Sequence, residues 1–198
     1  MKSKFGSGWV MTAICVIGFV SVLPAQTIYR ISASKDIDMK LSGTSTLHKW
    51  SMDTKTFSGE AQFGFAPANR LSSLKSLSFS LAVQDLKSGE SGLDKNAYKA
   101  LKTGEYKDID YKLTSAAVGP ENNGKYLLKT VGNLTIAGVT KAVTMDVYCT
   151  VNKDATITCT GSDKLMMTDY QVKPPKFMLG AMKTGDAITL DFTLVYKK

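Results

Sequence analysis

The chain has 198 residues, 43% of them hydrophobic and 21% charged, with a formal net charge of +8. That length suits one domain with a sizeable core, and the composition excludes a disordered or disulfide-dense protein. The positive charge is spread as single lysines with no arginine-rich or aromatic-interleaved block. Nucleic acid is therefore excluded as the expected partner, leaving plain solubility or attraction to an anionic membrane surface.

In chain order, Lys2 and Lys4 precede an apolar run from Trp9 to Leu23 that ends at Pro24-Ala25-Gln26. A short positive region, an apolar core and a closing small residue predict a secretory signal peptide over residues 1–25. The run is short for a membrane span and lacks a basic stop-transfer flank. The mature domain, residues 26–198, is accordingly expected in the periplasm or outside the cell.

Short alternating pieces follow, first Ile28 to Ile31 and then Ile37, Met39 and Leu41. Thr46, His48, Trp50 and Met52 share one parity, and Ala61, Phe63 and Phe65 share another. Leu77, Phe79, Leu81 and Val83 alternate with serines, the pattern of a half-buried strand. The rhythm breaks at Leu93, Ala97, Ala100 and Leu101, which fall at helical spacing before Gly104. A short amphipathic helix is expected there, laid over an opening or edge of the sheet.

Strands resume at Ile109-Tyr111-Leu113, with a turn expected over Gly119 to Gly124. Tyr126 to Ile136 and Val139 to Thr150 read as long strands joined at Ala137-Gly138. Cys149 and Cys159 then flank Asn152-Lys153-Asp154 on the apolar parity of two facing runs. In an oxidising compartment they fit a structural disulfide or two buried thiols, and the disulfide is the expectation. Pro174 and Pro175 cannot sit inside a sheet ladder. The chain closes on Ile188, Leu190, Phe192 and Leu194, alternating with Thr189, Asp191 and Thr193. The whole predicts an all-β fold: a single closed antiparallel barrel of about eight strands with one short helix. A β-sandwich is the alternative.

The interior is expected either to fill with side chains or to enclose one elongated ligand. Nine methionines, among them Met166, Met167, Met178 and Met182, are either core filler or an adaptable lining. Catalytic chemistry is thinly represented. His48 is the single histidine, no Gly-x-Ser-x-Gly elbow is present, and no transition-metal ligand cluster is legible. His48 beside Trp50 either contacts a ligand head group or holds a strand. No enzyme, metal or cofactor is expected; a lipid-acting enzyme using His48 and a ligand-free structural or stress-associated protein remain as alternatives.

Four stretches carry a family resemblance: Gly43-Thr44-Ser45-Thr46-Leu47-His48-Lys49-Trp50, Leu93 to Lys102, Gly132 to Lys141, and Met167 through Met178. The Leu-Thr-Ile-x-Gly-Val-Thr and Pro-Pro-x-Phe-Met-Leu-Gly pieces are the most specific. With these the chain resembles the YceI-like family of exported, lipocalin-like, polyisoprenoid-binding proteins, although that family's usual histidine-rich opening is reduced here to His48. The resemblance implies non-catalytic binding of an apolar lipid, with an isoprenoid chain, a quinone tail or a prenyl phosphate as the bound molecule. Inward parity then marks Trp50, Phe63, Phe79, Leu81, Leu134, Met145, Phe177, Leu190 and Phe192 as tunnel walls, with His48 at the head-group end.

Overall fold

Period-two alternation recurs along most of the chain, and the computed structural model, which describes residues 27–177 and 182–198, resolves it into strands. They are β1 (Tyr29–Ile31), β2 (Asp38–Ser45), β3 (Lys49–Thr54), β4 (Ser58–Ala66), β5 (Arg70–Ala82) and β6 (Asp108–Asn122). After them come β7 (Lys125–Ile136), β8 (Val139–Val151), β9 (Ile157–Met166), β10 (Lys176–Phe177) and β11 (Met182–Lys197). The one α-helix among the described residues, α1 (Ser91–Ala100), sits between β5 and β6. The predicted leader, together with Met178, Gly180 and Ala181, lies outside the described residues, as do the side chains of Phe177 and Met182.

All the pairings are antiparallel, but the expected eight-stranded barrel is not what they build. Eleven strands form one sheet in the order β1-β4-β5-β6-β7-β8-β9-β11-β2-β3, with β10 attached to β11. The sheet forks at β11. Its outer half pairs with β2 from Ser45 to Asp38, and its last residues pair with β1 through only Arg30↔Lys197 and Ile31↔Tyr196. The β2–β3 hairpin therefore ends the strand order, and β3 is left as an edge strand whose one further pairing among the described residues is the Asp53↔Lys87 bridge. Closure would have removed every edge. Alternation alone cannot show that one long strand serves two neighbours on the same side.

Turn chemistry sets the register. Asn123 and Gly124 (φ 50° and 76°), like Ala137 and Gly138 (48° and 79°), take the left-handed pair that a two-residue hairpin requires. The first of these corrects the expected turn at Gly119 to Gly124, because β6 continues through Pro120. The sequence there tolerates proline for a local reason: the β6–β7 register shifts between Val118 and Glu121, and the pairing with β5 ends at Lys112. No ladder partner needs the missing N–H. Cys149 and Cys159 are direct cross-strand partners and are joined as a disulfide, with Cα atoms 4.2 Å apart.

The core occupies the inward face. Tyr29, Tyr196, Leu81, Leu128 and Ile157 are fully buried. Phe63 stands edge-on to both Tyr29 and Tyr196, at ring separations of 5.4 and 5.5 Å.

Candidate functional site

The sequence Ser45-Thr46-Leu47-His48 makes a tight turn at the tip of the β2–β3 hairpin. The Ser45 N–H donates to the His48 carbonyl at 2.9 Å, and Ser45 Oγ accepts from the N–H groups of Leu47 and His48. Beyond the turn Trp50 pairs with Gly43 across the hairpin. Its indole lies over that glycine, where any Cβ would collide with the ring. The Trp50 Nε1–H donates to the Thr44 carbonyl at 3.1 Å, so the ring is held at the hairpin's inner surface.

Helix α1 faces this hairpin. Its position is tied down at both ends. Asp94 Oδ1 accepts from the Ser88 N–H at 2.8 Å and from Ser88 Oγ at 2.6 Å, placing a carboxylate in the helix's first turn where the dipole favours it. The Tyr98 hydroxyl donates to the Leu86 carbonyl at 2.7 Å and accepts from Lys87 Nζ at 2.9 Å. At the C-terminus the left-handed residue is Lys102 (φ 53°) rather than the expected Gly104, and Thr103 closes the turn onto the Tyr98 carbonyl. These contacts direct Leu93, Ala97, Ala100 and Leu101 toward the sheet.

Between hairpin and helix lies a cavity of 330 Å³. Leu41, Trp50, Met52 and Ile188 line one side, and Leu93, Ala97, Ala100 and Leu101 the other. Ile109 and Ile136 close the floor, and Met166, Met167, Tyr170, Val172 and Pro175 complete the wall. Polar groups are few: Ser45, His48, Glu90, Asn96, Tyr170 and Thr184. The Tyr170 hydroxyl is pushed up to about 12, chiefly by burial and further by Asp169 and Asp163. It thus stays neutral and can both donate and accept. This is the composition of a site that selects by apolar contact and orients with a few hydrogen bonds. Among the described residues no group of three or more histidines, cysteines or carboxylates is arranged to hold a metal ion.

A larger hollow of 640 Å³ lies between β1, β4, β5, β6 and β7, and nine of its thirteen lining residues are charged or polar. Arg30, paired with Glu60 at 2.8 Å, lies there with Asp110, Lys112 and Asn133. Its lining is far more polar than that of the cavity beside α1.

A family model of the YceI-like domain matches residues 29–196. The chain belongs to the YceI-like family. Solved structures agree at the level of fold. BcnA of Burkholderia cenocepacia superposes with a TM-score of 0.64 at 21% identity, covering 83% of this chain and 98% of its own. A polyisoprenoid binding domain from Saccharophagus degradans, implicated in plant cell wall breakdown, gives 0.64 at 13% identity, covering 85% and 97%. The YCEI protein of Campylobacter jejuni gives 0.53 at 21% identity, covering 71% and 81%. No curated protein matches the chain.

Within this YceI-like chain the residues marked by parity separate into two groups. His48 and Trp50 line the cavity, His48 at its exposed rim. Phe63, Phe79, Leu81 and Leu134 are packed in the core instead, Phe79 against Phe57 at 5.5 Å. Met145, Leu190 and Phe192 are half-buried against that core, and the Phe192 ring fills the space over Gly161. The space beside Gly132 is likewise taken by the Tyr111 ring, and that beside Gly59 by Ile31. The wall formed by α1 was not assigned to the site from sequence. Its apolar spacing was the available signal, since a helix laid over a sheet opening must itself line whatever it covers.

Proposed function

We propose that this YceI-like protein binds the apolar part of an elongated lipid, such as the isoprenoid chain of a prenyl phosphate or quinone, without covalent chemistry. The observation that carries the reading is the apolar cavity between α1 and the β2–β3 hairpin. A relative of the same fold is a polyisoprenoid binding domain, which supports the ligand class. Each buried methylene contributes about 0.8 kcal/mol, so a few isoprene units in the cavity supply useful affinity. At 330 Å³ the space is near the small end of ligand sites, so part of a long chain would extend past the rim. His48, Ser45 and Thr184 at that rim are positioned to meet a polar head or a chain passing outward. Export to the periplasm or medium belongs to the same proposal, supported by the leader sequence and by a disulfide that an oxidising compartment would preserve.

Mass spectrometry of an organic extract of the natively purified mature protein tests the reading. A stoichiometric prenyl lipid or quinone is the expected result. A lipid-free extract, together with no uptake of added prenyl alcohol, would overturn it and favour a ligand-free structural role.

A further inference from the structure

We propose that the rim of the cavity is a docking surface for an anionic lipid bilayer, formed by the β2–β3 turn and the start of β11. The inference rests on the cavity as a lipid site and adds where the lipid enters.

The turn presents Leu47 to solvent with 65% of its surface exposed, the largest such value among the described large apolar residues. The bonds of Ser45 that shape the turn hold this leucine outward, at the tip of the hairpin that ends the sheet. Ser45 and His48 of the same turn line the cavity, as does the exposed Met166. An apolar side chain held outward beside the mouth of an apolar cavity extends apolar surface from the lining to the exterior.

Four lysines lie on the segments next to that turn. Lys49 follows the turn directly. Lys183 is bound to it through the backbone: the Thr46 N–H donates to the Lys183 carbonyl at 3.0 Å, and the Lys183 N–H to Thr46 Oγ1 at 3.3 Å. Lys176 is the cross-strand partner of Lys183, and Lys173 precedes Pro174 on the same approach. All four are exposed, and among the described residues none of them is within ion-pair distance of a carboxylate. The nearest acid on β11, Asp186, is already engaged by the N–H and hydroxyl of Thr168 at 2.9 and 2.6 Å. An exposed leucine with unpaired lysines on the neighbouring segments matches a bilayer surface, where anionic head groups meet the lysines and the acyl boundary takes the leucine. In that orientation the cavity mouth faces the membrane, and a chain leaving the bilayer enters without crossing water.

Co-sedimentation of the mature protein with vesicles tests this, using phosphatidylcholine alone and phosphatidylcholine mixed in equal parts with phosphatidylglycerol. The wild type is expected to bind the anionic vesicles and to release as salt rises. Each lysine contributes roughly a five-fold factor, so Lys49→Glu with Lys183→Glu should weaken binding at least about 25-fold. Leu47→Asp should weaken it as well. Lys125→Glu with Lys153→Glu, the same charge change at the hairpin ends on the far side of the sheet, should not. No binding by the wild type, or equal losses for rim and far-end pairs, would overturn the proposal. Salt-sensitive binding that Leu47→Asp leaves unchanged would indicate a purely electrostatic partner such as an acidic protein, and would also overturn it. Tryptophan-monitored uptake of a prenyl alcohol from solution, run on the same samples, separates the two readings. Failure there in the wild type counts against the cavity, whereas uptake retained by the rim variants with vesicle binding lost isolates the docking step.

Discussion

Trp50 and Gly43 face each other across the β2–β3 hairpin, and the indole occupies the space a side chain on Gly43 would need. One glycine thereby sets the width of the cavity, since the same ring is its wall. We predict that Gly43→Ala drives the indole off its seat, lowers stability by about 1–3 kcal/mol and shrinks the lipid capacity. Denaturant unfolding and lipid titration check the two effects separately. Unchanged lipid capacity would show that the ring can settle elsewhere without entering the cavity.

Ala97 lies on the opposite wall, on the face of α1 turned toward the sheet. Ala97→Trp should fill the cavity and reduce prenyl-lipid affinity about ten-fold or more, with the melting temperature preserved because the new ring enters existing space. Lys95→Ala, an exposed change on the same helix, serves as the control. Full affinity in Ala97→Trp would place the ligand elsewhere.

The Cys149–Cys159 bridge lies at the other end of the sheet from the cavity, since Cys149 pairs with Tyr126 at one end of β7 and Ile136 reaches the cavity at the other. Replacing both cysteines by serine should cost about 2–4 kcal/mol, toward the lower figure because the closed loop is short. Lipid affinity measured well below the melting temperature should not change. A selective loss of binding with unaltered stability would contradict this assignment of a purely structural role.

Two buried tyrosines predict an alkaline weakness. Tyr170 titrates near 12, and burial likewise pushes the hydroxyl of the fully buried Tyr196 far above its ordinary value of 10.0. Both pKa values are raised on folding, so the folded state holds protons that the unfolded chain releases near pH 10. The stability contributed is complete below about pH 10 and is lost as pH rises through about 12. Urea midpoints measured across that interval should fall. Tyr196 Oη also finds no hydrogen-bond partner among the described residues. Tyr196→Phe should therefore leave neutral-pH stability unchanged or raise it by about 1 kcal/mol, and flatten the alkaline decline.

Much of the architecture follows from local rules. The alternation at Leu77 to Val83 and Ile188 to Leu194 marks strands because side chains on a pleated backbone must take opposite faces. The disulfide was legible in the same way, from two cysteines on one parity either side of a turn. The helical spacing of Leu93, Ala97, Ala100 and Leu101 announced a covering helix, and four short stretches pointed to the family whose model spans the domain. Parity, however, names a face and is silent on depth. Phe63 and Trp50 both point inward, yet one is locked between Tyr29 and Tyr196 while the other borders open space. Only the tertiary structure decided which half of the interior is filled, because filling depends on which ring lies over which glycine of a neighbouring strand. It also decided that the sheet forks at β11, since strand pairing is chosen by contacts between segments far apart in the chain.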